Sequence, residues 1–325
     1  MAAGFVDLQV NGYAGRDFTT AALSDEDVQA VSAELARRGT AAYCPTVVTT
    51  SWDVYEHVLP ILGRACRQGS RKACSRPLGI HLEGPFISPE DGAVGAHPKV
   101  HVQPPSIAAL ERLIELADGQ VRLLTLAPEA QGAVELIARA RDHGIAVSVG
   151  HTLAGADDVN RAAAAGATLS THLANGCPNQ IHRHMNPIWP QLACGELTAM
   201  IITDGHHLPP SVIAAILAAK GPRRTIITSD SVSVAGLPPG EYETMGTPVV
   251  LEPSGRVRNA RAPTLAGSSA CVIDCMNHLA SLGLLEVEDL YRVGRDNPLA
   301  AIGASADDLA PGVSVQWDGR GFAVS

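Results

Sequence analysis

A (β/α)8 barrel of the TIM type is the fold this sequence predicts, and three observations carry it. Short apolar runs alternate with amphipathic stretches of helical period along most of the chain, the pattern of a parallel sheet covered by helices. Eight such runs can be counted, the number that closes a barrel. Polar residues able to do chemistry follow most of them, and in a barrel the strand ends on one face carry catalysis while strand interiors fill the core.

The strand candidates, in order, are Phe5–Val10, Ala41–Val47, Leu78–Leu82, Val121–Leu126, Ala146–Val149, Thr168–Thr171, Thr198–Ile202 and Thr225–Thr228. The helices between them carry their own punctuation. Ser24 opens Ser-Asp-Glu-Asp, an N-cap with acids in the first turn, and Gly39 follows the last periodic residue. Gln131–His143 stops at Gly144 in the same way, and Pro210–Lys220 and Ser268–Leu282 read as further helices. A doubly wound open sheet fits the alternation too, but no GxGxxG follows the first strand. No repeat or low-complexity linker divides the chain. The barrel is expected to occupy residues 1–303, leaving 304–325 as a short tail in which Val313–Trp317 and Phe322–Val324 read as two small strands.

With 325 residues, 46% of them hydrophobic, the chain can bury a large core. A formal net charge of −9 argues against a nucleic-acid partner, whose binders carry a basic patch. The start MAAGFVDLQV lacks the basic and apolar regions of a signal peptide, and no stretch has the roughly 20 apolar residues of a membrane span. Seven cysteines, odd in number and without CxxC spacing, read as reduced thiols of a cytoplasmic protein. Cys271 and Cys275 read as core packing.

Position singles out the candidate site. Gln9 and Asn11 end the first strand, Glu83 follows the third, His151 the fifth, His172 the sixth, Asp204 the seventh and Asp230 the eighth. One carboxylate and two imidazoles, Glu83, His151 and His172, make the ligand set that leaves a hydrolytic Zn²⁺ an open position for water. A lone histidine is more often structural than a ligand, and His57, His143 and His278, on helices, are read that way. Asp230, in Thr-Ser-Asp-Ser, could pass a proton between a water and a leaving amine, or simply cap the next segment.

These residues sit in motifs that resemble the N-acetylglucosamine-6-phosphate deacetylase family of the amidohydrolase superfamily. The resemblance runs from Gly4-Phe5-Val6-Asp7-Leu8-Gln9-Val10-Asn11-Gly12 through His81-Leu82-Glu83-Gly84-Pro85-Phe86, Gly150-His151-Thr152, Thr171-His172-Leu173 and Asp204-Gly205-His206-His207. It continues to Ser229-Asp230 and Leu265-Ala266-Gly267-Ser268-Ser269 and fades at about Gly303. It implies Glu83, His151 and His172 as metal ligands and Asp230 as general acid/base. It implies His97, Asn175, Gly176, Arg183 and His207 as contacts to the amino sugar and its phosphate. The superfamily's HxH pair is Gln9-x-Asn11 here, as in single-metal members, so one divalent ion per chain is expected, Zn²⁺ first, with Gln9 and Asn11 as outer or water contacts.

The resemblance further implies hydrolysis of an N-acetyl amide on an amino sugar, N-acetylglucosamine 6-phosphate first. The alternatives are an unphosphorylated N-acetylhexosamine or other N-acyl amine, and a non-catalytic metal- or sugar-phosphate-binding homologue. The expected partner is a small-molecule substrate, not nucleic acid or membrane, with a homodimer left open. The sequence departs from the family in two places. It opens directly at the first strand and has only a stub after Gly303, so the family's small β-sandwich is expected to be missing or vestigial. The loop Asn175-Gly176-Cys177 to Trp189 keeps the spacing of Arg183 from His172 but differs around it.

Overall fold

The computed structural model describes residues 2–69, 73–262 and 264–325 of the chain. Eight parallel strands form one sheet in chain order: β1 (Phe5–Val10), β2 (Thr40–Val48), β3 (Ile80–Glu83), β4 (Val121–Leu126), β5 (Ala146–Val149), β6 (Leu169–Ser170), β7 (Thr198–Ile201) and β8 (Thr225–Ile227). The ring closes where Val10 bridges Ser231 in parallel and Asn11 N donates to Ser231 O at 2.8 Å. Helices α1 (Asp25–Arg37), α2 (Trp52–Arg67), α3 (Ile107–Leu116), α4 (Ala133–Asp142), α5 (Ala156–Ala165), α6 (Ile188–Ala193), α7 (Pro210–Lys220) and α8 (Val272–Ser281) return the chain between strands or cover the last of them. The predicted N-cap holds: Ser24 accepts from Asp27 N while Asp27 Oδ2 accepts from Ser24 N. No helix among the described residues is long and apolar enough to cross a membrane. All seven cysteines are free thiols.

Two predicted helices are shorter than their periodicity. Gln131–His143 begins only at Ala133, after Gly132 turns through a positive φ of 88°. Ser268–Leu282 begins at Val272, because Ser268 is occupied elsewhere. Its N–H donates to Asp230 O, its carbonyl accepts from Val232 N, and its hydroxyl donates to Asp204 Oδ2. With its backbone committed across the barrel mouth it cannot join a helix, and Cys271 becomes the N-cap, its N–H donating to Asp274 Oδ2.

The chain after β8 holds an element that the periodicity did not show. Strands β9 (Gly240–Thr244), β10 (Thr247–Leu251) and β11 (Val257–Asn259) form an antiparallel sheet at the mouth on which the barrel strands end. Val249, Leu251 and Val257 pack it onto Val232, Val234 and Ala266. The tail supplies both small strands expected of it, β12 (Ser314–Trp317) and β13 (Phe322–Val324), and β12 pairs with Ala2–Ala3.

Strand β1 positions the site through an irregularity. Val6 and Leu8 point into the barrel with Ala42, Cys44, Leu123, Leu169, Met200 and Ile226, so strict alternation would put Val10 inside as well. Instead Val10 packs in the outer cluster. The register explains it: Asp7 faces Tyr43 and Val10 faces Pro45, so β1 carries one residue more than β2 across that interval. Such a bulge shifts the inward–outward parity of the residues beyond it, and here it turns Gln9 and Asn11 toward the mouth.

Asp7, buried beside that bulge, replaces missing ladder bonds between β8 and β1. Its carboxylate accepts from Thr228 Oγ1 (2.7 Å), Ser229 N (3.1 Å) and Ser229 Oγ (2.5 Å). Burial pushes its pKa up even though Ser229 and Thr228 both donate to it. Gln9 N donates to it as well (3.3 Å), and Ser229 Oγ has a second acceptor in Gln9 O (3.4 Å). Asp7→Ala would therefore orphan three buried donors, Thr228 Oγ1, Ser229 N and Gln9 N, at about 1 kcal/mol or more each. Urea unfolding is therefore expected to show a loss of at least ~3 kcal/mol; a loss under ~1 kcal/mol would mean that water closes the seam as well as the carboxylate does.

Candidate active site

The predicted residues Glu83, His151, His172 and Asp230 converge at the strand ends that open on one cavity of about 410 Å³, which also touches Asn11, His97, Asn175, Gly176 and His207. Glu83 Oε1 lies 3.0 Å from His172 Nε2 and 3.2 Å from His151 Nε2, and the two imidazole nitrogens are 3.1 Å apart. These three atoms thus form a nearly equilateral triangle. His151 Nδ1 donates to Ala93 O at 2.7 Å, which leaves its Nε2 lone pair aimed at the triangle. His172 Nε2 can donate to only one of the other two corners, so acceptor faces acceptor unless a cation sits among them. A tetrahedral ion with bonds of about 2.0–2.1 Å sets its ligand atoms about 3.3 Å apart, close to what is found, so the residues fit a divalent metal.

His97 stands on the same carboxylate, its Nε2 3.7 Å from Glu83 Oε2, and Glu83, His97 and His151 also form a group close enough to share an ion. The tautomer separates the two histidines. Thr49 N donates to His97 Nδ1 at 3.3 Å, so in the neutral ring Nε2 carries the proton and acts as a donor. Burial and then His151 push His97 down to about 3, which keeps the ring neutral. Burial alone would raise Glu83, but His151 and His172 hold it well below the usual carboxylate range.

Asp230 adjoins this triangle through amides. Gln9 Nε2 donates to both Glu83 Oε1 (2.8 Å) and Asp230 Oδ1 (3.0 Å), and Asn11 Nδ2 donates to Asp230 Oδ1 at 2.7 Å. Burial, then the charge of Glu83, push Asp230 up to about 6. His151, His172 and Asp230 all adopt positive φ, at 49°, 29° and 52°. Bulky residues avoid that region, and such outliers gather where surrounding structure enforces them at functional sites. The enforcing bonds are visible: Ser88 N donates to His151 O, Leu173 N to Met200 O and Ser268 N to Asp230 O.

His207 is aimed by Asp204, whose carboxylate accepts from His207 Nδ1 (2.8 Å), His206 N, His207 N and Ser268 Oγ. Despite burial, these bonds, led by His207, hold Asp204 below the usual range, and His207 Nε2 is left to the cavity. Gly176 has φ +61°, and a Cβ there would lie 3.0 Å from His172 Cε1, so the loop presses its backbone on the imidazoles. Asn175 Nδ2, Gln9 Oε1, Asn11 Oδ1 and His172 Nδ1 are buried without a partner among the described residues, the state expected of groups that bind a ligand or water. Arg183 is not brought in. It is exposed on the loop after β6 and is absent from the cavity lining; its carbonyl accepts from Trp189 Nε1.

One buried polar layer beneath the site escaped sequence reasoning. Below Glu83, His81 Nδ1 donates to Leu8 O (3.0 Å), and its Nε2 accepts from Thr125 Oγ1 (2.8 Å). The chain continues from Thr171 to Thr125 (2.7 Å) and from Ser148 to Thr171 (2.6 Å). Burial pushes His81 down to about 4, so the neutral ring fixes every donor direction in the chain. The available signal was a histidine two residues before Glu83 in an otherwise apolar strand.

A family model described as "Amidohydrolase family" matches residues 1–293. The chain belongs to that family. Individual relatives include amino-sugar-phosphate deacetylases. It is 33% identical over 314 residues to the N-acetylglucosamine-6-phosphate deacetylase of Bos taurus, covering 93% of this chain and 74% of the relative. It is 29% identical over 310 residues to the N-acetylgalactosamine-6-phosphate deacetylase of Escherichia coli O157:H7, covering 95% and 80%. Among solved structures, N-acetyl-D-glucosamine-6-phosphate deacetylase from Mycobacterium smegmatis superposes with a TM-score of 0.86 at 29% identity, covering 95% of this chain and 80% of that one. The chain is therefore a barrel hydrolase that acts on an amide, of the deacetylase type within the amidohydrolases.

Proposed function

We propose that this amidohydrolase removes the acetyl group from an N-acetylated amino sugar 6-phosphate, N-acetylglucosamine 6-phosphate first, consuming one water and releasing acetate and the free amine. The observation that carries it is the pairing of Asp230 with the Glu83–His151–His172 triangle through the single amide of Gln9. Glu83, His151 and His172 would hold one divalent ion, Zn²⁺ first, and the ion would supply Lewis acidity toward the amide carbonyl and the attacking water. The amide N–H groups of Gln9 and Asn11 face carboxylates where a second ion would need imidazoles, which supports a single metal.

The protein's own groups divide the remaining tasks. Asp230 takes a proton from the attacking water and delivers it to the leaving nitrogen, roles that a carboxyl group near neutrality can alternate between. His97 Nε2–H, the unpartnered Asn175 Nδ2 and the free Nε2 of His207 bind and orient the sugar. Gly176 lets the loop lie close enough to do so.

A second reading, an unphosphorylated N-acetylhexosamine, is favoured by one observation: Arg183, which the family resemblance assigns to the phosphate, lies outside the cavity lining. Acetate release from N-acetylglucosamine and N-acetylgalactosamine, each with and without a 6-phosphate, separates the two. The expected result is a kcat/KM at least ~10-fold higher on a 6-phosphate than on its free sugar, the scale of one charge-assisted contact. Equal or reversed preference would promote the second reading.

A further inference from the structure

The anionic end of the proposed substrate needs a cation, and the cavity offers one outside the loop of Arg183. Deep in the site stand Glu83 and Asp230, so a phosphate dianion is repelled there and must lie at the mouth. Among the described residues, Arg256 is the one arginine or lysine lining this cavity. It sits where the β10–β11 hairpin turns, on the same mouth as His207 and Thr264.

The turn is well held. Glu252 N donates to Arg256 O (3.0 Å), Gly255 N to Glu252 O (2.9 Å), and Ser269 Oγ to Gly255 O (2.5 Å). His206 Nε2 donates to Ser254 O at 3.0 Å. The hairpin is thus tied to His206, which itself donates to Asp204, and to Ser269, the neighbour of Ser268, another donor to Asp204. Within the same hairpin Arg258 pairs with Glu252 (3.6 Å), whereas Arg256, exposed, forms no ion pair among the described residues. In a chain of net charge −9, an arginine left without a carboxylate at a cavity mouth is positioned for an anion from outside.

We propose that Arg256 is the specificity-determining cation of this site, gripping the phosphate of the substrate from the hairpin while His207 approaches from the β7 loop. This assignment rests on the phosphorylated-substrate reading above. A guanidinium can hold two phosphate oxygens at once, which fixes the far end of the sugar while the acetamide reaches Asp230 and the ligand triangle.

The test is steady-state kinetics of wild type, Arg256→Ala and Arg183→Ala on N-acetylglucosamine 6-phosphate and on N-acetylglucosamine, with inorganic phosphate as competitive inhibitor. For Arg256→Ala, kcat/KM on the phosphorylated sugar is expected to fall about 10- to 100-fold, mainly through KM, and by far less on the free sugar. The inhibition constant of phosphate is expected to rise with it. Unchanged kinetics in Arg256→Ala, with the loss appearing in Arg183→Ala, would overturn the assignment and leave the phosphorylated substrate standing. Equal loss on both sugars, or a lowered melting temperature, would make Arg256 a structural residue and overturn it too. A wild type that does not prefer the phosphorylated sugar overturns both, and is read before any variant is made.

Discussion

Asp230→Asn is expected to lower kcat by ~10²- to 10⁴-fold, the range for a general acid/base, while metal content and fold persist. The substitution keeps the shape of the side chain and removes only its capacity to take a proton. Asparagine also tolerates the positive φ of 52° at this position. The sign of the stability change sharpens the test. The folded-state pKa is pushed up by burial and by Glu83 to about 6, above its ordinary value, so the ionised carboxylate is disfavoured by the fold at neutral pH. Removing that charge should leave the melting temperature no lower than wild type. For the same reason the acidic limb of kcat/KM is expected at or below about pH 6, since a cation in the ligand triangle would offset the push from Glu83. Near-wild-type turnover in Asp230→Asn would reduce Asp230 to a turn residue, and loss of metal would make it a ligand.

Stripping the metal is expected to abolish turnover, with close to one Zn²⁺ per chain restoring it. The geometry also distinguishes the histidines that matter for the ion. His172→Ala should lose both the metal and activity, because a corner of the triangle is gone. His97→Ala should keep the metal and raise KM, because its Nδ1 accepts from Thr49 N and its Nε2 is a donor. Two equivalents of metal after dialysis, or metal lost from His97→Ala and kept in His172→Ala, would refute this assignment. Full activity of the stripped protein would refute metal dependence altogether.

The barrel was legible because its evidence is local. Val121–Leu126 and Ala146–Val149 read as strands, and Pro210–Lys220 as a helix, from residues within one element, and the structure ends them at the same positions. Glu83, His151, His172 and Asp230 were legible because strand ends on one face meet whatever the loops do. The Arg183 assignment was of another kind, since it came from the family resemblance alone, at a position in a long loop whose surroundings differ, and a residue's place in a loop does not say where its side chain points.

The sequence by itself determined the order of strands and helices, the caps, and the chemical types placed at the catalytic rim, because these depend on neighbours three or four residues away. Only the tertiary structure decided the rest. The bulge in β1 that turns Gln9 and Asn11 to the mouth exists only against the register of β2. The seam that Asp7 closes joins residues more than 200 positions apart, and the Ser148–Thr171–Thr125–His81 chain spans four strands. Ser268 left its helix to hold Asp204 and the backbone of Asp230. Each is a buried polar group that must find its partner across the barrel once water is excluded, and periodicity along the chain carries no record of which strand that partner is on.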